Sequence, residues 1–250
     1  MLRLLLVLFL QLPLSVLAGA AEVSVFAAAS LSDALQEIAT AYETRSGDRI
    51  ALNLGASNVL ARQIEQGAPA ELFLSADEAK MDALAKQNLI DQATRVSILS
   101  NTLVVIVPAR GGQPLTHPRQ LTEPRFARIA LAEPSSVPAG IYARTCLQKY
   151  GVWTRIAAKV IPTANVRSAL AAVATGNVDA AIVYSTDARA EKRVRIAYEV
   201  PRADGPRISY PFAALRGASR NARKFLAHLQ SAEARAVFAR HGFVEWTVAR

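Results

Sequence analysis

Residues 23–42 read VSVFAAASLSDALQEIATAY. A short apolar run stops at three alanines and Ser30, and from Leu31 the period changes: Leu31, Ala34, Leu35, Ile38, Ala39 and Tyr42 recur at helical spacing. The segment therefore reads as strand, turn and helix, with Ser30 where the helix begins. That position has chemistry of its own. The first backbone N–H groups of a helix have no partner within it and carry the positive end of its dipole, so they can receive an anion without any charged side chain.

The pattern recurs along the chain. Residues 50–54 read as a strand, and Gly55, Ala56 and Ser57 turn into a helix with Val59, Leu60 and Ile64 on one side. Residues 71–74 form a third strand, and Asp77 is the expected cap of a helix reaching about Leu89. Residues 96–108 differ, being long and almost wholly apolar around Ser100, Asn101 and Thr102. Strands then alternate with helices again: 129–132, a helix over 140–150, 159–161, a helix over 165–175, 178–184 and 195–200. The β-prone run 208–215 precedes two closing helices that start at Ser219 and Ser231.

Such alternation predicts an α/β protein of parallel sheets covered by helices on both faces. The crossings near 100–108 and 202–210 divide it into two lobes, one discontinuous (21–102 and 209–250) and one inserted (103–208). Ligands of such sheets bind beyond the carboxyl ends of the strands. Four helix starts lie at those ends, at Ser30, Ser57, Ala139 and Val166, and Tyr184 ends a strand there.

The remaining composition narrows the class. Residues 1–20, MLRLLLVLFLQLPLSVLAGA, read as a cleaved signal peptide: one early Arg3, an apolar stretch broken by Gln11 and Pro13, and a small-residue end. The mature chain is then expected to start near Ala21 or Glu22 and to be exported. Cys146 is the sole cysteine, so no internal disulfide is possible, and its helical setting reads as core. The net charge of +9 becomes +8 without Arg3. Its densest cluster, Arg189, Lys192, Arg193 and Arg195, has no interleaved aromatics, which favours a solvated turn over nucleic-acid binding.

Each candidate position has a plainer local reading. Ser30 followed by Asp33 fits a capping box, and Ser57 fits an N-cap in the same way. Ala139 after Pro138, and Val166 after the natural cap Asn165, fit ordinary helix starts. Tyr184 fits a core tyrosine at a strand edge. Taken together, two hydroxyls, backbone N–H groups and a phenol would surround a tetrahedral oxyanion with donors, and none of the five is Lys or Arg. A cage of donors disfavours an anion that keeps a proton, such as protonated phosphate.

Enzyme chemistry lacks support. His117, His228 and His241 stand beside no serine or cysteine in a recognised order, and GxSxG, HExxH, CxxC and P-loop patterns are absent. Glu71 and Asp77 read as a strand-edge residue and a helix cap.

FAAASL at 26–31, LARQIEQGAPAELFLSAD at 60–77, NTLVVIVP at 101–108, VPAGIYA at 137–143 and IVYSTDA at 182–188, with HGF at 241–243, resemble the periplasmic molybdate-binding proteins of ABC importers. The resemblance runs in order over nearly the whole mature chain. It implies a two-lobed type II periplasmic binding fold that closes on molybdate, with tungstate bound comparably, and hands it to a membrane permease. It implies oxyanion contacts at Ser30 and Ser57 through hydroxyl and amide, at Ala139 and Val166 through amides, and at Tyr184 through its hydroxyl. Molybdenum enters only as the oxyanion, with no direct metal ligand and no cofactor. The protein is expected to be a monomer that neither spans a membrane nor catalyses a reaction. One departure is the run Ala56, Ser57, Asn58, where the family often carries several serines. Two other readings remain: a receptor for sulfate or another tetrahedral oxyanion, and an exported serine hydrolase.

Overall fold

The computed structural model describes residues 22–247, so the signal-peptide reading of 1–20 lies outside them. The chain begins with β1 (Glu22–Ala28), a 3₁₀ turn (Ala29–Leu31), α1 (Ser32–Ser46), β2 (Arg49–Gly55), α2 (Ser57–Glu65), β3 (Leu72–Leu74), α3 (Glu78–Lys86), β4 (Val96–Ser100) and β5 (Leu103–Pro108). It continues through β6 (Ile129–Ala132), α4 (Pro138–Lys149), α5 (Trp153–Ile156), β7 (Val160–Thr163), α6 (Val166–Ala174), β8 (Ala180–Tyr184), α7 (Ser185–Ala190) and β9 (Val194–Glu199). It closes with β10 (Tyr210–Ala214), α8 (Arg220–Leu229), α9 (Ala232–Arg240) and β11 (Val244–Glu245).

These strands make two sheets flanked by helices, ordered β11-β4-β10-β3-β1-β2 and β7-β6-β8-β5-β9. The sheets are mixed, which corrects the expectation of parallel ones. β1 runs parallel to β2 and β3, and β6 runs parallel to β7 and β8, each through a helical crossover. β10 is antiparallel to β3 and β4, and β5 is antiparallel to β8 and β9. The reason is topological. Parallel neighbours need a long crossover, whereas β4 passes to β5 through Asn101 and Thr102 alone; β5 and, on the return, β10 each enter their sheet from the other lobe and run against their neighbours.

Local chemistry explains most helix ends. The side chains of Asp77, Asn165, Ser219 and Ser231 each accept a backbone N–H from the first turn of the helix they precede, at 3.0 to 3.2 Å. Gly47 and Gly242 follow α1 and α9 with φ of 74° and 89°, a left-handed geometry that ends a helix with little strain only at glycine. On α2 the buried face is Leu60, Ala61 and Ile64, packed with Phe26, Phe73 and Met81. Val59, expected on that side, is 47% exposed.

Two short helices escaped the sequence reading. α5 and α7 have 4 and 6 residues, too few to show a period. The three histidines make local polar and packing contacts. His117 Nδ1 accepts the N–H of Arg119, His228 packs on Tyr42, and His241 Nε2 lies 2.8 Å from Glu37. In the basic turn, Arg193 pairs with Glu191, and the side chain of Arg195 donates to the carbonyl of Gly112.

Candidate functional site

β1, β2, β6 and β7 all end facing the gap between the two sheets, and each leads into a helical turn there. One cavity in that gap is lined from the first sheet by Ala28, Ala29, Ser30, Gly55, Ala56, Ser57 and Ala76. From the second it is lined by Val137, Pro138, Ala139, Asn165, Val166 and Tyr184. All five sequence-predicted positions, Ser30, Ser57, Ala139, Val166 and Tyr184, are therefore brought to one place. No charged side chain is among the lining residues.

The cavity leaves about 20 Å³ for the centre of a water-sized guest. Adding the radius of a water, that is the room of a sphere about 3 Å in radius, which suits one central atom with four oxygens.

Each wall is explained by its element. Pro138 and Ala139 open α4, and Val166 opens α6, so their helices offer N–H groups with no carbonyl one turn back to bond. Gly140 lets α4 come this close. A Cβ there would lie 2.0 Å from the carbonyl oxygen of Ala132, the last residue of β6, and 2.6 Å from that of Glu133. Any larger residue pushes the first turn of α4 off the strand end.

Neither serine caps its helix, and both capping expectations are corrected. Leu31 and Ala56 hold the N-cap places of α1 and α2, with no side-chain cap bond at either. Ser57 Oγ instead accepts the backbone N–H of Ala76 at 3.0 Å. A backbone N–H can only donate, so the Ser57 proton is left for another acceptor. Ser30 Oγ lies 3.2 Å from the hydroxyl of Tyr210. Asp33, the supposed capping-box partner, reaches across the gap to Arg167 at 2.6 Å.

Tyr184 is 1% exposed, and its hydroxyl has no hydrogen-bond partner. A buried phenol without a partner costs about 1–3 kcal/mol. Burial holds this phenol well above its ordinary pKa, so at neutral pH it keeps its proton and can donate. Tyr184 is among the residues that line the cavity, so its unpartnered proton is available to an acceptor seated there.

Behind the cavity, Arg167 pairs with Asp33 of α1 and with fully buried Asp187 of α7, each at 2.6 Å. Burial pushes the Asp187 carboxyl up to about 6 despite the pull of Arg167, which leaves it ionised at neutral pH. The two carboxylates occupy the guanidinium, so an anion in the cavity is met chiefly by dipoles and hydrogen bonds. Asn58 Nδ2 donates to Ser136 Oγ at 3.2 Å, a second tie across the gap.

The sequence pattern described as "Bacterial extracellular solute-binding protein" matches residues 23–244. The chain belongs to this family.

Among individual members of the solute-binding family, it is 38% identical over 234 residues to the molybdate-binding protein ModA of Escherichia coli, covering 91% of this chain and 90% of that one. The periplasmic molybdate-binding protein of Azotobacter vinelandii superposes with a TM-score of 0.81 at 22% identity, over 90% of this chain and 100% of the other. The sulfate-binding protein SubI of Mycobacterium tuberculosis superposes with a TM-score of 0.76 at 20% identity, over 89% and 86%. At those identities the two structures speak for the fold alone. Among the described residues, no helix is long and apolar enough to cross a membrane.

Sequence reasoning missed Gly140, Asn101 and Tyr210. Gly140 stands inside the quoted VPAGIYA, and a glycine in the first turn of a helix is itself a signal of close backbone approach. Asn101 and Tyr210 carried no local signal, because their partners lie 85 to 180 positions away.

Proposed function

We propose that this solute-binding protein is an extracytoplasmic receptor for molybdate, with tungstate bound comparably, and that it delivers the anion to the membrane permease of an ABC importer without catalysing a reaction. The single observation that carries the reading is that Ser30, Ser57, Ala139, Val166 and Tyr184 line one small cavity with no charged side chain, where the buried Tyr184 hydroxyl has no hydrogen-bond partner. The 38% identity to a molybdate-binding protein over nine-tenths of both chains supports the choice of anion.

In this reading Ser30 and Ser57 give hydroxyl and amide donors from the first lobe. Ala139 and Val166 give amides from the second, and Tyr184 gives its phenol. The N-termini of α2, α4 and α6 add about 0.3–2 kcal/mol each. Charge-assisted hydrogen bonds supply the rest. The lobes, 21–102 with 209–250 and the inserted 103–208, close about the two crossings and exclude water. The protein acts as a periplasmic monomer, exported by the signal peptide at 1–20, and requires no cofactor.

The test is a titration of the purified mature protein with molybdate, tungstate, sulfate and phosphate, following Trp153 and Trp246 fluorescence. Trp246 stacks under Arg207 beside the crossings and should report closure. Saturation by molybdate and tungstate well below any sulfate response is expected. Saturation by sulfate where molybdate is silent rejects the reading in favour of a sulfate receptor.

A further inference from the structure

Resting on the oxyanion reading above, we propose that Asn101 and Tyr210 are positioning residues: they form a one-directional hydrogen-bond relay that fixes the Ser30 hydroxyl as a donor to the bound anion. Its direction follows from counting protons. The backbone N–H of Thr102 donates to Asn101 Oδ1 at 2.9 Å. A backbone N–H cannot accept, so this contact fixes which end of the Asn101 amide is oxygen and commits Nδ2 to the other side. Nδ2 has two protons and two partners, Thr186 Oγ1 at 2.9 Å and the Tyr210 hydroxyl at 3.3 Å.

Tyr210 therefore accepts from Asn101. Its one remaining contact is Ser30 Oγ at 3.2 Å, and it is fully buried. If Ser30 donated to Tyr210, the single Tyr210 proton would be buried without an acceptor, an arrangement that costs about 1–3 kcal/mol. The favoured order runs Asn101 to Tyr210 to Ser30, and the Ser30 proton is left to point into the cavity. Ala76 does the same for Ser57. The hydroxyl donors from the first lobe are thus aimed before any guest arrives, so little reorientation is needed on binding.

The relay also crosses the lobes. Asn101 lies in the β4–β5 crossing, Tyr210 starts β10 in the first sheet, and Thr186 lies on α7 beside the second. The amide is held from both sides only when the lobes stand as they do here.

The decisive test is a double-mutant cycle on molybdate affinity, measured calorimetrically, with Tyr210→Phe, Ser30→Ala and the pair. Losing one aligned hydrogen bond should weaken binding about three- to tenfold in Tyr210→Phe. In the Ser30→Ala background the same exchange should change nothing further, because the relay then has no terminus. A repeat of the cycle with Asn101→Ala reads the other end and gives a second route should Tyr210→Phe not fold. An equal loss in both backgrounds would mark Tyr210 as structural packing and overturn the relay, as would wild-type affinity in Tyr210→Phe. Both results leave the oxyanion reading standing. Failure of the wild-type protein to bind any tetrahedral oxyanion would remove that reading and the relay together.

Discussion

Arg167, the residue after Val166 at the start of α6, donates to Asp33 of α1 at 2.6 Å across the gap between the lobes. The pair joins two helix starts that flank the cavity, and it can exist only while the lobes are together. Asp33 is 45% exposed at its side chain, so solvent screens the contact and its worth is at most about 1 kcal/mol. Asp33→Asn should speed molybdate release roughly two- to fivefold while leaving the association rate nearly unchanged, as read by stopped-flow fluorescence. Arg167→Ala should do far more. It strands the carboxylate of fully buried Asp187 and should lower unfolding stability by about 3 kcal/mol or more in urea titrations near pH 7.

Tyr184 gives a prediction with opposite signs in its two readouts. Tyr184→Phe removes a buried hydroxyl that has no partner, so the ligand-free protein should melt at the same temperature or higher. Affinity for the oxyanion should nevertheless fall by about 1–3 kcal/mol, the range for a hydrogen bond to a charged group. Loss of stability with unchanged affinity would remove the phenol from the site.

Ser57 and Tyr184 should behave differently from each other. Ser57→Ala should cost a similar 1–3 kcal/mol of affinity, but it also deprives the Ala76 N–H of its acceptor, so the ligand-free protein should lose about 1 kcal/mol of stability as well. Comparing the two variants by thermal unfolding and by calorimetric titration separates a hydroxyl with no partner from one that already accepts a hydrogen bond.

Gly140→Ala tests how α4 is seated. The added methyl would meet two backbone carbonyl oxygens, neither of which can rotate away, so the first turn must shift. Weaker binding through displacement of the Ala139 amide is expected, with a stability loss of about 1–3 kcal/mol typical of overpacking. An affinity equal to wild type would show that the amide is not used.

Cys146 reports on unfolding. Burial pushes its thiol up to about 11, so at pH 8 it is protonated and sheltered inside α4. Thiolate is the reactive form, and alkylation should be slow in the native protein, should quicken as the pH approaches 11, and should follow global unfolding in urea. Fast labelling at pH 8 would contradict this placement.

The places where the sequence was legible share a cause: strand and helix starts are local, and so are their signals. The 23–42 segment, the caps Asp77, Asn165, Ser219 and Ser231, and the five positions around the cavity follow from spacing read beside a resemblance. What was not legible depends on distant partners. Ser30 and Ser57 resemble N-caps by composition, but Tyr210 and the Ala76 N–H engage their hydroxyls, and no window around either serine contains that information. Strand direction was lost for a similar reason, because a crossing of two residues between β4 and β5 leaves the same apolar pattern whichever way the neighbours run. Val59 shows that apolar residues at helical spacing need not all face inward.

In the proposed function, uncharged amides and hydroxyls from both lobes hold a doubly negative tetrahedral guest in this one cavity. The most direct test is an anomalous-difference map from crystals grown with molybdate. A single strong molybdenum peak is predicted inside the cavity, with its oxygens at hydrogen-bond distance from the Ser30 and Ser57 hydroxyls, the Ala139 and Val166 amides and the Tyr184 phenol. A peak seated instead on arginine side chains outside the cavity, with the cavity unchanged, would contradict the claim.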